Sequence, residues 1–113
     1  QQDMTFLQKV QDVFEDNVAD ETFSIDMLAS ALNMSRSSFY RKLKALTGMT
    51  PVDFMRAQRI RRGASLLLTG RSVSEVAAMV GFSSASYFTK CFKMELGVLP
   101  KDYEDSRSGA NLP

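Results

Sequence analysis

The sequence predicts an all-α fold of about seven helices, and three features carry that prediction. Apolar residues recur at spacings of three and four along almost the whole chain, and no stretch makes a convincing strand. Ser or Thr stands where helices should begin, and Gly or Asn where they should end. A pattern of short helix, tight turn and longer helix also occurs twice.

Taken in order, Phe6, Val10, Val13 and Phe14 place an amphipathic helix over residues 3–17. Ser24 can cap a short helix to Leu32, with Ile25, Leu28 and Leu32 on one face, and Asn33 breaks it. Ser35 can cap the next helix, to Thr47, with Phe39, Leu43 and Leu46 inward and Gly48 as its stop. Thr50-Pro51-Val52-Asp53 is a start signal: a cap, a Pro where no N–H is needed, and an acid at the positive end of the helix. That helix is expected to reach Thr69 and end at Gly70, with Phe54, Ala57, Ile60, Ala64, Leu67 and Leu68 on one stripe. Gly63 lies inside it, where Ala would be better by about 1 kcal/mol. Tight packing against a neighbour and a slight bend both account for it. Ser72-Val73-Ser74-Glu75 is a capping box that opens a helix to Val80, with Gly81 as breaker. The next helix, Ser84 to Leu96, turns Phe88, Cys91 and Phe92 inward and stops at Gly97. Pro100 can open a last short helix through Tyr103, and the tail 106–113 is expected to be disordered. Met27, Met34, Met49, Met55, Met79 and Met94 read most simply as gap-filling core residues.

Composition removes several function classes. The 113 residues suit one ordinary domain. There is no His, hence no imidazole base and no His metal ligand, and the lone Cys91 allows neither an internal disulfide nor a Cys-rich zinc site. No cofactor or metal is expected, and no organised catalytic constellation is present, so the chain reads as a non-enzyme. No apolar run approaches the roughly 20 residues that span a bilayer, so no membrane contact by this fragment is expected. The chain opens on Gln1 rather than Met, which suggests a piece of a longer protein.

Read as a single number, the formal net charge of +1 argues against a nucleic-acid partner. It is a cancellation. Residues 1–26 hold seven acids and one base, a net −6; residues 27–101 hold twelve bases and three acids, a net +9; residues 102–113 are net −2. A basic block between acidic flanks is a candidate footprint for a polyanion, and a solvated Lys/Arg surface accounts for it equally well.

The repeat sharpens this. Leu28-Ala29 matches Val76-Ala77 and Leu32-Asn33-Met34-Ser35 matches Val80-Gly81-Phe82-Ser83, at a displacement of 48. Phe39, Leu43, Lys44, Gly48, Pro51 and Phe54 match Phe88, Phe92, Lys93, Gly97, Pro100 and Tyr103 at 49. One residue is therefore added between Ser83 and Phe88, at the start of the later helix. Asn33 and Gly81 share a turn position that tolerates left-handed backbone, and Ala29 and Ala77 share a position where a small side chain lets helices approach. These are the needs of a helix-turn-helix.

Stepping about 100° per residue, with Phe39 and Leu43 inward, turns Ser37, Tyr40, Arg41 and Lys44 outward. In the second unit Ser86, Thr89, Lys90 and Lys93 face outward. Both stripes are polar and cationic without an acid, which suits base edges and phosphates in a major groove. Arg41 can fork onto guanine O6 and N7, and Lys44 and Lys93 suit phosphates. Tyr40 fits either a base or sugar contact or packing on a neighbouring helix. Ordinary solvent exposure remains the plain alternative for Ser37, Ser86 and Thr89, as a solvated face does for Lys90 and Lys93. Arg56, Arg59, Arg61 and Arg62 on the long helix divide between bridging the units and touching a DNA backbone, with Arg59, close to the apolar stripe, read as structural.

The stretch Arg59-Ile60-Arg61-Arg62-Gly63-Ala64-Ser65-Leu66-Leu67, with Val73, Val76-Ala77, Val80-Gly81-Phe82-Ser83, Ser86-Tyr87-Phe88, Phe92-Lys93, Gly97 and Pro100, closely resembles the signature of AraC/XylS-type transcription regulators. Met34-Ser35-Arg36-Ser37-Ser38-Phe39-Tyr40-Arg41-Lys42-Leu43-Lys44, with Gly48 and Pro51, resembles that family's first reading head. Gly63 stands where Ala is usual and Ile60 where Leu is usual. The resemblance covers residues 5–105. It implies two helix-turn-helix subdomains on a rigid connector, set into successive major-groove segments of double-stranded DNA. It implies reading positions at Ser37, Ser38, Tyr40 and Arg41, and at Ala85, Ser86, Thr89 and Lys90, with Arg36, Lys44 and Lys93 completing the DNA-contact set. Ala85 can offer only an apolar contact, so the second head is expected to be the weaker sequence reader.

The organisation expected is an acidic leading helix in 1–23 packed on the first subdomain, a first helix-turn-helix subdomain over 24–50, a linker helix over 51–70, a second subdomain over 71–105 and the tail. By resemblance, such a domain is the cytoplasmic output of a longer bacterial regulator, activator rather than repressor, with a regulatory domain in the same chain and RNA polymerase as a further partner. The acidic leading helix with Asp3, Phe6 and Leu7 resembles the form attached to hybrid two-component sensor regulators. A helical protein-interaction module for an acidic partner is the alternative, disfavoured because the outward stripes lack large apolar anchors.

Overall fold

The computed structural model of the chain describes residues 2–103. The expected disordered tail, 106–113, lies outside them. Six helices follow in order: α1 (Gln2–Asp16), α2 (Ile25–Ala31), α3 (Arg36–Thr47), α4 (Pro51–Leu67), α5 (Val73–Met79) and α6 (Ala85–Leu96). A further helical stretch occupies residues 100–103, where the Tyr103 N–H donates to the Leu99 carbonyl at 2.9 Å. The described residues contain no strand, and none of their helices is long and apolar enough to cross a membrane.

The local signals act where the sequence places them. The hydroxyls of Ser24, Ser35, Thr50, Ser72 and Ser84 each accept from the N–H three residues on, meeting a donor that the first turn leaves without a helical partner. Ser72 and Glu75 close the capping box reciprocally, at 3.1 and 3.0 Å. Left-handed Gly48 and Gly97 stop α3 and α6.

Two cores result. In the first, Phe6, Val10 and Phe14 of α1 meet Phe23, Leu28 and Ala29, Phe39 and Leu43 of α3, and Met55 of α4. In the second, Ile60, Ala64 and Leu67 of α4 meet Val76 and Ala77 of α5 and Phe88, Cys91 and Phe92 of α6. Phe88 is fully buried, edge-on to Phe82 with ring centroids 5.2 Å apart. Each buried large side chain contributes about 1.5–3 kcal/mol, so α4 is held from both sides. The molecule measures 49 × 29 × 21 Å.

Four expectations need correction. First, α4 ends at Leu67 rather than Thr69. Leu68, Thr69 and Gly70 bond back three residues instead of four, and Thr69 Oγ1 also caps the Leu66 carbonyl at 2.6 Å. That tightening carries Leu68 off the stripe, and it is exposed. Second, Phe54 is only half-buried, and Met55 takes the buried place in the first core. Third, the methionines are not all core: Met55 is buried, but Met27 and Met94 are exposed, Met94 at 77%. Fourth, the added residue of the second unit lies before α6, not within its start. Ser35 caps α3 and Ser84 caps α6, so these two are equivalent and Ser83 belongs to the turn. Gly63 is settled in favour of packing: a Cβ there would lie 2.8 Å from the Phe88 ring and 3.3 Å from Val76.

Candidate nucleic-acid interface

The two units make the same turn. Asn33 and Gly81 have φ of 58° and 85°, and the next residues, Met34 and Phe82, donate their N–H to the carbonyls of Ala29 and Ala77 at 3.0 and 2.9 Å. These turns set the angle at which α3 leaves α2 and α6 leaves α5.

On α3, Ser37, Tyr40, Arg41 and Lys44 are exposed, while Ser38 is half-buried with its N–H tied to the Ser35 hydroxyl at 3.1 Å. Tyr40 keeps 42% exposure, and the Lys44 ammonium lies 5.9 Å from its ring centroid, so its ring leans along its own helix face. On α6, Ser86, Lys90 and Lys93 are exposed, and Ala85 and Thr89 are half-buried. Among the described residues, the ion pairs engage other arginines and none of Arg41, Lys44, Lys90 or Lys93. Arg36, the first residue of α3, pairs with Asp26 of α2 at 3.4 Å. Both partners are well exposed, and such a pair contributes at most about 1 kcal/mol and is screened by salt, so a phosphate can compete for Arg36.

The sequence reading overlooked Tyr87, which is 48% exposed on α6. The repeat itself carried the signal, because the displacement of 49 makes Tyr87 the counterpart of Ser38. Tyr87, Arg36, Val52 and Arg56 line a cleft of about 540 Å³ between the two reading units.

Of the connector arginines, Arg59 is held inside the fold, as its place near the apolar stripe implied. Arg59 is buried, and its guanidinium donates to three backbone carbonyls, of Val18 at 2.6 Å, Val80 at 2.7 Å and Asp20 at 3.3 Å. Burial lowers its pKa from the ordinary value, with the Asp20 carboxylate opposing that shift; a guanidinium stays charged regardless. Arg62 pairs with Glu15 of α1 at 3.3 Å, Arg61 with Glu95 of α6 at 3.4 Å, and Arg56 with Asp53 on its own helix at 2.6 Å. Among the described residues no cluster of three or more His, Cys, Asp or Glu could hold a metal ion.

Two such units, with their second helices exposed at equivalent positions and one helix shared between them, define a two-headed helix-turn-helix domain. The helix-turn-helix domain family matches residues 28–106. The chain is 36% identical over 107 residues to "Histidine kinase P4" of Formosa agariphila, covering 94% of this chain and 8% of that protein. It is 41% identical over 98 residues to the HTH-type transcriptional regulator MtrA of Neisseria gonorrhoeae, covering 86% of this chain and 31% of that one. The chain thus spans well under half the length of these relatives. Among solved structures, it is similar to the DNA-binding domain of AdpA in complex with a target DNA (TM-score 0.83, 30% identity, 93% of this chain and 95% of that one). It is also similar to a transcriptional regulator with an AraC-type DNA-binding domain from Chromobacterium violaceum (TM-score 0.83, 25% identity, 90% and 91%). The chain belongs to the AraC-type helix-turn-helix family.

Proposed function

We propose that this domain is the sequence-specific DNA-binding output of a bacterial transcription regulator, with α3 and α6 in successive major-groove segments on one face of the duplex. The observation that carries this reading is the pair of equivalent exposed faces, Ser37, Tyr40, Arg41 and Lys44 on α3 and Ser86, Lys90 and Lys93 on α6, on one shared connector. Arg41 reads a guanine edge, while Arg36, Lys44 and Lys93 hold phosphates. Ser38, Ala85 and Thr89, half-buried at the groove-facing ends or flanks, add close contacts rather than long reach. Residues 24–50 and 71–105 act as the reading subdomains, 51–70 as their connector and 1–23 as a buttress on the first.

Successive major-groove faces lie about 34 Å apart. The 17 residues of α4 span about 25 Å at 1.5 Å each, and the long dimension of the molecule is 49 Å. Two heads roughly a turn apart fit within it, and any shortfall is met by bending the DNA toward the protein at a cost of a few kcal/mol. Likeness to a histidine kinase of much greater length favours a regulatory domain in the same chain and control by a two-component signal. The domain works in the cytoplasm, as an activator with RNA polymerase as a further partner, and performs no chemistry of its own.

Binding to operators selected from a random DNA pool tests this. Arg41→Ala should weaken the selected site by about 1–3 kcal/mol and relax one base position. Lys44→Ala should weaken all sequences alike and reduce the slope of log affinity against log salt by about one. Equal, salt-insensitive affinity of the parent and both variants overturns the proposal.

A further inference from the structure

Arg59 stands on the connector and ties the segment that buttresses the first unit to the turn of the second. Toward that buttress, whose α1 shares a core with α3, its Nη1 donates to the Val18 carbonyl at 2.6 Å, its Nη2 to the Asp20 carbonyl at 3.3 Å, and its guanidinium lies 5.6 Å from the Phe14 ring centroid. Toward the second, Nη1 donates to the Val80 carbonyl at 2.7 Å, at the end of α5 and beside the turn that aims α6. Gly81 occupies that turn, and a Cβ there would lie 2.6 Å from the Val18 oxygen and 2.8 Å from Arg59 Cζ. Val18 itself packs against both cores. A planar fork with fixed donor directions holds an angle, not merely a distance, which a single ammonium cannot do.

We infer that Arg59, seated against Gly81, is a positioning residue that locks the angle between α3 and α6 and so makes the domain select the spacing of its two half-sites. This rests on the two-headed reading of the function. Moving one half-site by a base pair rotates it by roughly 35° about the duplex axis, so a locked pair of heads rejects the altered site and a loose pair follows it.

Two measurements separate the lock from the reading. In the first, without DNA, nitroxides are placed at Met4→Cys on α1 and Met94→Cys on α6, both exposed positions, in a Cys91→Ala background. Electron–electron distance measurement should give one narrow distribution for the parent and a broad one for Arg59→Lys. An unchanged narrow distribution overturns the inference. In the second, operators with the selected spacing and with one base pair added are compared. The parent should prefer the selected spacing by about tenfold, the size of one lost base-pair contact, and Arg59→Lys should bring the ratio near one. A uniform loss at both spacings, with the ratio kept, means a merely structural arginine and overturns the inference. If Arg59→Lys fails to fold, residual dipolar couplings of the unsubstituted domain decide instead: α3 and α6 must share one alignment tensor, and two tensors overturn the lock. If no variant binds DNA, the functional reading fails while the DNA-free measurements still judge the lock.

Discussion

The two helix-turn-helix units share a turn but not its surroundings. Asn33 in the first and Gly81 in the second both hold positive φ, at 58° and 85°. Asn33 is exposed, so only its backbone is constrained, and Asn is a residue type that tolerates that conformation. Gly81 is constrained twice, by its backbone and by the guanidinium and carbonyl against its Cα. The same asymmetry recurs on α4, where Gly63 meets Phe88 of the second unit with no room for a methyl. The second unit is thus built tightly around the connector. The first is buttressed from outside by α1 and carries the richer of the two proposed reading faces, with Arg41 where the second has Lys90. Matched folds in one chain can divide the work, one half anchoring and the other reading.

The largest test of that asymmetry exchanges the demands on the turns. Gly81→Ala should destabilise the domain by about 3 kcal/mol in urea unfolding, from the positive φ and the collision together, whereas Asn33→Gly should change stability by a few tenths. Equal effects would remove the distinction. Next, Gly63→Ala sets helix propensity, which favours Ala by about 1 kcal/mol, against overpacking on Phe88, which costs about 1–3 kcal/mol. Net destabilisation of about 1 kcal/mol in thermal unfolding is expected, and a stabilised variant would mean that the second unit gives way easily. The smallest expected effect concerns the reading faces. Lys90→Ala should weaken operator binding by less than Arg41→Ala, about 1 kcal/mol, and leave base preferences intact. Relaxed preference at a base position would make the second head a reader in its own right.

Helix existence and facing were legible in the sequence because both are local. Ser24, Ser35, Thr50, Ser72 and Ser84 announce their helices by bonds that reach three residues, and Phe39 with Leu43, or Phe88 with Phe92, mark a buried face one turn apart. What the sequence hid depends on residues far away along the chain. Arg59 looked structural from its place near the apolar stripe, but its partners at Val18, Asp20 and Val80 lie 41, 39 and 21 residues away. Phe23 is buried though it belongs to no helical stripe, and Leu68 is exposed though its spacing fits one. The cationic stripe proposed to read DNA was legible as a stripe: Arg41, Lys44, Lys90 and Lys93 are exposed. Tyr87 escaped because its exposure depends on where the second unit docks, and only its match to Ser38 pointed to it.

The sharing of α4 has a consequence for how the domain comes apart. This helix lends Met55 to one core and Ile60, Ala64 and Leu67 to the other. Neither core can melt without exposing apolar surface of the same rod, so the heads are expected to unfold in one cooperative transition, with the slowest-exchanging amides along α4. Substitutions that retune one reading helix draw on a stability reserve common to both, and the exposed stripes are where sequence preference can drift without spending it.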